Sequence, residues 1–174
     1  MTVDQFVKWV YPEARKTGQI HPLFVTSHAA LESGWGRSAI GNNLFGITVG
    51  RSWTGKKKLV RTHEVFDTAD RKFTEPEHVF QVVPIIVGSK RKYRYTVNRF
   101  FRDYDSLQEC LTDHLRILQK PGYSDAWPYR SDPYLYAAKI VDGVGCKYAT
   151  DPNYTNTMKS IIAMVEKSVR RQGL

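Results

Sequence analysis

Apolar residues recur at helical spacing near the start of the chain. Val3, Phe6, Val7, Val10 and Ala14 fall on one face, as in an amphipathic helix packed on a core. Pro12 lies inside this run, where its missing N–H and its ring predict a kink or a break. Gly18 is placed to end the helix. Pro22 suits a first helical position and begins a second helix running to about Ser33. Its residues Leu23, Phe24, Val25, Ala29, Ala30 and Leu31 leave it apolar nearly all round, which predicts burial.

The period then changes. Gly34, Gly36, Gly41, Gly46 and Gly50 mark a loop with short helical turns. Leu59 to Phe66 alternates, with Val60, Thr62, Glu64 and Phe66 on one side. His78 to Val87 is rich in β-branched residues, and Lys92 to Val97 alternates Tyr93, Tyr95 and Val97 against Lys92, Arg94 and Thr96. These stretches predict a small antiparallel sheet with one solvated face. Helical spacing returns afterwards. Ser106–Glu109 has a capping-box pattern, with Leu107, Leu111, Leu115 and Leu118 in register. Asp132-Pro133 opens a short helix that stops near Gly143. Asp151-Pro152 opens the last one, whose buried stripe is Met158, Ile161, Ile162, Val165 and Val169. With no internal repeat, the order of helices, sheet and helices predicts one α+β domain over 1–174. Its small antiparallel β lobe, about 51–102, is inserted into a mainly helical lobe.

Composition narrows the class. Hydrophobic residues at 41% and aromatics at 13% exclude a disordered chain. The net charge of +9 attracts nucleic acid, anionic membrane or acidic cell-wall polymer without choosing among them. Lys56-Lys57-Lys58 and the run Lys90-Arg91-Lys92-Tyr93-Arg94-Tyr95, with Arg99 and Arg102, interleave charge and aromatics. That mix binds nucleic acid in some folds and is a plain solvated strand face in others. No helix-turn-helix, zinc-finger or RNP pattern accompanies it, so no specific nucleic-acid partner is expected. Cys110 and Cys146 are too few for a disulfide scaffold and lack metal-ligand spacing. They read as a single bridge or, preferably, as one semi-buried thiol and one loop thiol. No metal or cofactor is expected. The first residues carry no basic and apolar leader, and no apolar run is long enough to span a membrane. Export by another route, or removal of a leader, is the expectation.

The densest chemical signal is Ala29-Ala30-Leu31-Glu32-Ser33-Gly34-Trp35-Gly36. A carboxyl at the end of an apolar helix is disfavoured in its charged form by burial and by the negative end of the helix dipole. Both effects suit a general acid. Gly34 and Gly36 let backbone approach closely, leaving room for a ligand, and Trp35 either walls off water or packs in the core. A Glu at a helix end that merely faces solvent is the plainer reading of the same residues.

This block resembles a known family. Ala30–Gly36, then Asn42-Asn43-Leu44-Phe45-Gly46-Ile47, are similar to the glucosaminidase family of flagellar muramidases and bacterial autolysins (glycoside hydrolase family 73). Trp53-x-Gly55, Phe101–Ser106 and Tyr148-Ala149-Thr150-Asp151-Pro152 with Tyr154 follow in the family's order, over about residues 20 to 165. The resemblance implies a lysozyme-like fold with a groove between an α lobe and a β lobe. It implies cleavage of the β-1,4 bond between N-acetylglucosamine and N-acetylmuramic acid, with Glu32 as catalytic acid. A second carboxylate is implied in the β lobe. Glu64 is the candidate, with Val65 where the family usually has Tyr, and Asp67 and Asp70 stand nearby. Tyr148 is implied at the reacting centre, with Lys147 where Gly is common. Asn43, Phe45, Trp53, Asp151, Tyr154 and Trp35 are the candidate substrate contacts.

Two carboxylates make chemical sense. One protonates the glycosidic oxygen, and the other serves the oxocarbenium-like centre; a gap of roughly 6.5–9.5 Å favours inversion and about 5–5.5 Å retention. The substrate's own acetamido group is a third route. Other readings stay open: Asp151 as a helix N-cap, Tyr148 and Tyr154 as core aromatics, Asn42 and Asn43 as turn residues, Trp53 as packing, His63 on a strand surface, and His28, one turn before Glu32, as a semi-buried histidine. The expected partners are peptidoglycan glycan strands and an anionic envelope surface, met by a monomer outside the cytoplasm. A lytic transglycosylase, an N-acetylmuramidase and a non-catalytic wall-binding module are the alternatives.

Overall fold

The computed structural model describes residues 1–50, 52–142 and 153–174. They form two compact units, Met1–Gly46 with Tyr104–Leu174, and Ile47–Asp103.

The first unit is helical. Helix α1, Val3–Thr17, opens on a reciprocal cap in which Thr2 Oγ1 accepts from Gln5 N (3.2 Å) and Gln5 Oε1 accepts from Thr2 N (2.8 Å). It runs unbroken through Pro12 to Gly18, whose φ is +68°. The expected break does not occur. Phe6, Val7, Val10, Tyr11 and Ala14 are buried on both sides of Pro12, and that packing outweighs the one backbone bond proline removes. Helix α2, Pro22–Ser33, begins behind His21, whose Nδ1 accepts from Leu23 N (3.2 Å). Nine of its twelve residues are buried because α1, α4 (Pro133–Asp142) and α5 (Tyr154–Gln172) all pack on it. Each large apolar side chain so enclosed contributes about 1.5–3 kcal/mol.

Helix α3, Leu107–Leu118, is capped by Ser106 Oγ, which accepts from Glu109 N (3.2 Å). The Glu109 carboxylate reaches one residue further back than in a capping box, to Asp105 N (2.9 Å). Asp132 caps α4 as expected, with Oδ1 accepting from Tyr134 N (2.9 Å) and Leu135 N (3.0 Å). Helix α5 starts at Tyr154 behind Asn153, three residues after the expected opening at Asp151. Two short 3-10 turns, Pro121–Tyr123 and Trp127–Tyr129, are too brief to leave a periodic signal. Cys110 is a free, fully buried thiol on α3; Cys146, Tyr148 and Asp151 lie outside the described residues.

The second unit is an antiparallel sheet of β1 (Lys57–Phe66), β2 (His78–Val87) and β3 (Lys90–Arg102), ordered β1-β3-β2. The pairings Thr62↔Val97 and Glu64↔Tyr95 put these residues on one face with Val60 and Phe66. On that face Tyr95 and Val97 are buried, and Phe66 and Phe73 close on the Tyr95 ring at 5.2 and 6.0 Å. Strand β3 exceeds its expected span at both ends because it is the central strand, paired along both edges. The other face is solvated, with Arg61 over the Phe80 ring (3.9 Å) and Lys57 over Phe100 (4.3 Å). No helix among the described residues is long and apolar enough to cross a membrane.

Candidate active site

The candidate acid sits where the most buried helix comes out. Glu32 is in the last turn of α2, and Gly34 ends that helix in the left-handed region (φ +55°) with its N–H bonded back to Ala30 and Leu31 carbonyls. Trp35 (φ +60°) and Gly36 (φ +80°) continue in the same region. A left-handed tryptophan is uncommon, and several contacts impose it. Trp35 N donates to Ala30 O (2.8 Å), and its ring stands edge-on to Phe6 at 5.6 Å. Buried Ser33 ties the turn together, with Oγ donating to Ala29 O (2.6 Å) and accepting from Gly36 N (2.8 Å).

Glu32 itself is not enclosed. Its side chain is 31% exposed, so the apolar enclosure expected from the sequence is corrected to a carboxyl at the surface end of a buried stripe. The residues one turn earlier are inside, and in the last turn Ser33 is buried while the Glu32 side chain points outward. Glu32 Oε1 lies 3.5 Å from Nε2 of His28, which is fully buried rather than semi-buried. Around that imidazole stand Phe24 (5.3 Å between ring centres), Phe45 (5.6 Å), His114 of α3 (5.0 Å) and Tyr154 of α5 (6.4 Å). His114 stacks flat on Phe45 at 3.6 Å. Burial first, and the His28 ring second, hold His114 well below the ordinary imidazole range. Burial, with a smaller effect from Glu32, pushes the Tyr154 phenol well up.

The helical unit therefore gathers Glu32, Phe45 and Tyr154 around one cluster. Phe45 and Tyr154 do so as core residues, 7% and 5% exposed, which places Phe45 in packing rather than on an open sugar-binding surface. Asn43 is also buried and bridges its backbone to Ile40. Asn42 Nδ2 donates to Tyr104 O (2.9 Å).

The sheet unit carries Glu64 and Trp53. Glu64 Oε1 is 3.6 Å from Arg99 Nη1, and Arg99 Nε is 3.9 Å from Glu77 Oε1. Glu77 also accepts from Phe100 N (2.9 Å). The guanidinium thus stands between two carboxylates, of which sequence reasoning considered only Glu64. Trp53 Nε1 donates to Lys56 O (2.9 Å), and Arg102 lies 4.5 Å from the ring centre. Gly55 is needed there, since a Cβ on it would come within 2.5 Å of the indole. Among the described residues no group of three or more His, Cys, Asp or Glu could hold a metal ion.

Sequence reasoning also missed His114. Its signal was legible, because Leu107, Cys110, Leu111, His114, Leu115 and Leu118 continue one helical stripe.

The family profile described as Glucosaminidase: Mannosyl-glycoprotein endo-beta-N-acetylglucosaminidase matches residues 8–167. The chain belongs to the glucosaminidase family. Among relatives of this family member, the peptidoglycan hydrolase FlgJ of Vibrio parahaemolyticus is 28% identical over 94% of the chain; the chain spans about half that relative's length, 47%. Among solved structures, a mutant peptidoglycan hydrolase from Sphingomonas sp. A1 superposes with a TM-score of 0.69 at 27% identity, covering 97% of this chain and 99% of that one. The catalytic domain of the autolysin Auto from Listeria monocytogenes gives 0.66 at 26% identity, covering 97% and 87%. These neighbours are glycoside hydrolase domains of the lysozyme-like fold.

Proposed function

We propose that this glucosaminidase-family domain is a peptidoglycan hydrolase that cleaves the β-1,4 bond between N-acetylglucosamine and N-acetylmuramic acid. Glu32 gives its proton to the glycosidic oxygen as the bond to the anomeric carbon breaks. Glu64 is the second carboxylate, activating water or stabilising the cationic sugar. Tyr148 and Asp151 are assigned to the reacting centre and the substrate through the matching family motif, Trp53 and Trp35 to the sugar rings, and Asn43 and Tyr154 to the support of the site. The observation that carries the reading is a solvent-reachable carboxyl on a helix otherwise sunk in the core, fixed by a turn that Ser33 locks. Such a group is rigidly aimed yet open to a large polymer.

Charge supports the partner. Residues 47–103 hold thirteen Lys and Arg against six Asp and Glu, so this unit carries +7 of the chain's +9. An anionic envelope surface concentrates such a domain near its substrate, where it acts as a monomer outside the cytoplasm.

The test is muropeptide mass spectrometry on purified peptidoglycan. The wild type should release fragments ending in reducing N-acetylglucosamine, and Glu32→Gln should release none while still sedimenting with the wall. Undiminished digestion by Glu32→Gln refutes the acid. Products ending in reducing N-acetylmuramic acid refute the bond assignment, and anhydro-muramic ends would reveal a transglycosylase.

A further inference from the structure

We propose that His28 is a positioning residue for Glu32: its buried imidazole holds the carboxyl in place and donates Nε2–H to the carboxylate formed once the proton has passed to the leaving oxygen. This inference rests on the reading of Glu32 as the acid and adds to it a partner inside the core.

Geometry carries it. His28 and Glu32 are four residues apart on α2, so their side chains share one face, and Nε2 stands 3.5 Å from Oε1. Contacts of this kind tighten when substrate closes a site. The ring is fully buried among Phe24, Phe45 and Tyr154 and has no free path to solvent, so it is a fixed anchor for a carboxyl that is itself partly exposed. Packing alone does not account for imidazoles at this place. His114, 5.0 Å away, has an Nε2 with no hydrogen-bond partner among the described residues. A buried polar nitrogen in that state costs stability that Phe or Leu would not.

Among the described residues, the titratable groups that face His28 are Glu32 on its own helix, His114 from α3 and Tyr154 from α5. Phe45 faces it from the 40–46 segment without charge, and Tyr136 of α4 stands one ring further, against Phe24. Burial keeps His114 uncharged and the two phenols protonated across the working pH range. Among these groups, Glu32 is the one that changes charge during turnover.

The experiment compares wild type, His28→Met, His28→Gln and Glu32→Gln for kcat and KM on solubilised glycan, with thermal unfolding beside them. The methionine fills the space without a donor. The glutamine amide nitrogen reaches close to the position of Nε2. His28→Met should lower kcat about tenfold, the loss expected for one hydrogen bond to a charged group, with KM nearly unchanged. His28→Gln should restore kcat. An unaffected His28→Met overturns the proposal, as does a His28→Gln as impaired as His28→Met, since the role would then be packing. Lysis by Glu32→Gln would instead remove the acid assignment underneath, whereas an inactive Glu32→Gln beside a normal His28→Met sinks His28 alone.

Discussion

Replacing Ser33 by Ala should loosen the turn that aims Glu32, and the size of the effect follows from two bonds. Ser33 Oγ accepts from the part-buried Gly36 N (2.8 Å) and donates to Ala29 O (2.6 Å). Losing the first leaves a backbone donor unsatisfied, at about 1–2 kcal/mol. Losing the second costs about 0.5–1 kcal/mol, because an acceptor keeps its helical partner. Alanine returns about 0.5 kcal/mol through its higher helix propensity. The net loss is about 2 kcal/mol, or roughly 4–8 °C in Tm for a chain of this size. The same variant should lower kcat on peptidoglycan while KM stays close to wild type, because Glu32 adjoins the slackened turn and a small misplacement of a catalytic group is costly. Thermal unfolding by circular dichroism and a turbidity assay on cell walls read the two effects. A Tm within about 1 °C of wild type, or full activity despite the expected drop in Tm, would show that the Ser33 bonds do not hold this corner.

Three further outcomes can be checked. Gly55→Ala should push the indole of Trp53 aside, because the new methyl would sit 2.5 Å from the ring; a loss of about 1–3 kcal/mol is the usual cost of overpacking, read by urea titration and by a shift in tryptophan emission. His114 has a folded pKa well below 6.5, so the unfolded chain takes up its proton first and stability falls as pH drops below 6.5. The slope approaches about 1.4 kcal/mol per pH unit for one group, and His114→Gln should flatten it in urea titrations between pH 7.5 and 5.5. Burial pushes the Cys110 thiol up to about 12, so in a Cys146→Ser background it should resist alkylation at pH 8 while folded and react fully in denaturant.

Local signals carried most of the element plan. The end of α2 was marked by Gly34, the face of β1 by alternation, and the cap of α4 by Asp132 before Pro133, because each depends on residues within a few positions of each other. Pro12 misled for the opposite reason: its local cost was read correctly, while the buried residues on either side of it, packed by elements far along the chain, decided the outcome. Glu32 stood out because a lone carboxylate between an apolar run and a glycine turn is a local pattern. Its surroundings were not local. The degree of exposure, the depth of His28 and the stacking of His114 on Phe45 depend on α3 and α5 meeting α2.

The chain's own order of residues determined the helices, the three strands and the motif that places this domain in its family, since backbone preferences and one-sided hydrophobicity act over a turn or a pleat. Only tertiary structure set Arg99 between Glu64 and Glu77, buried the His28 ring and brought His114 against it. Arg99 lies 35 and 22 residues from Glu64 and Glu77, and His114 lies 86 residues from His28. Charge and burial act through space, so no periodicity along the sequence encodes which of these groups will meet.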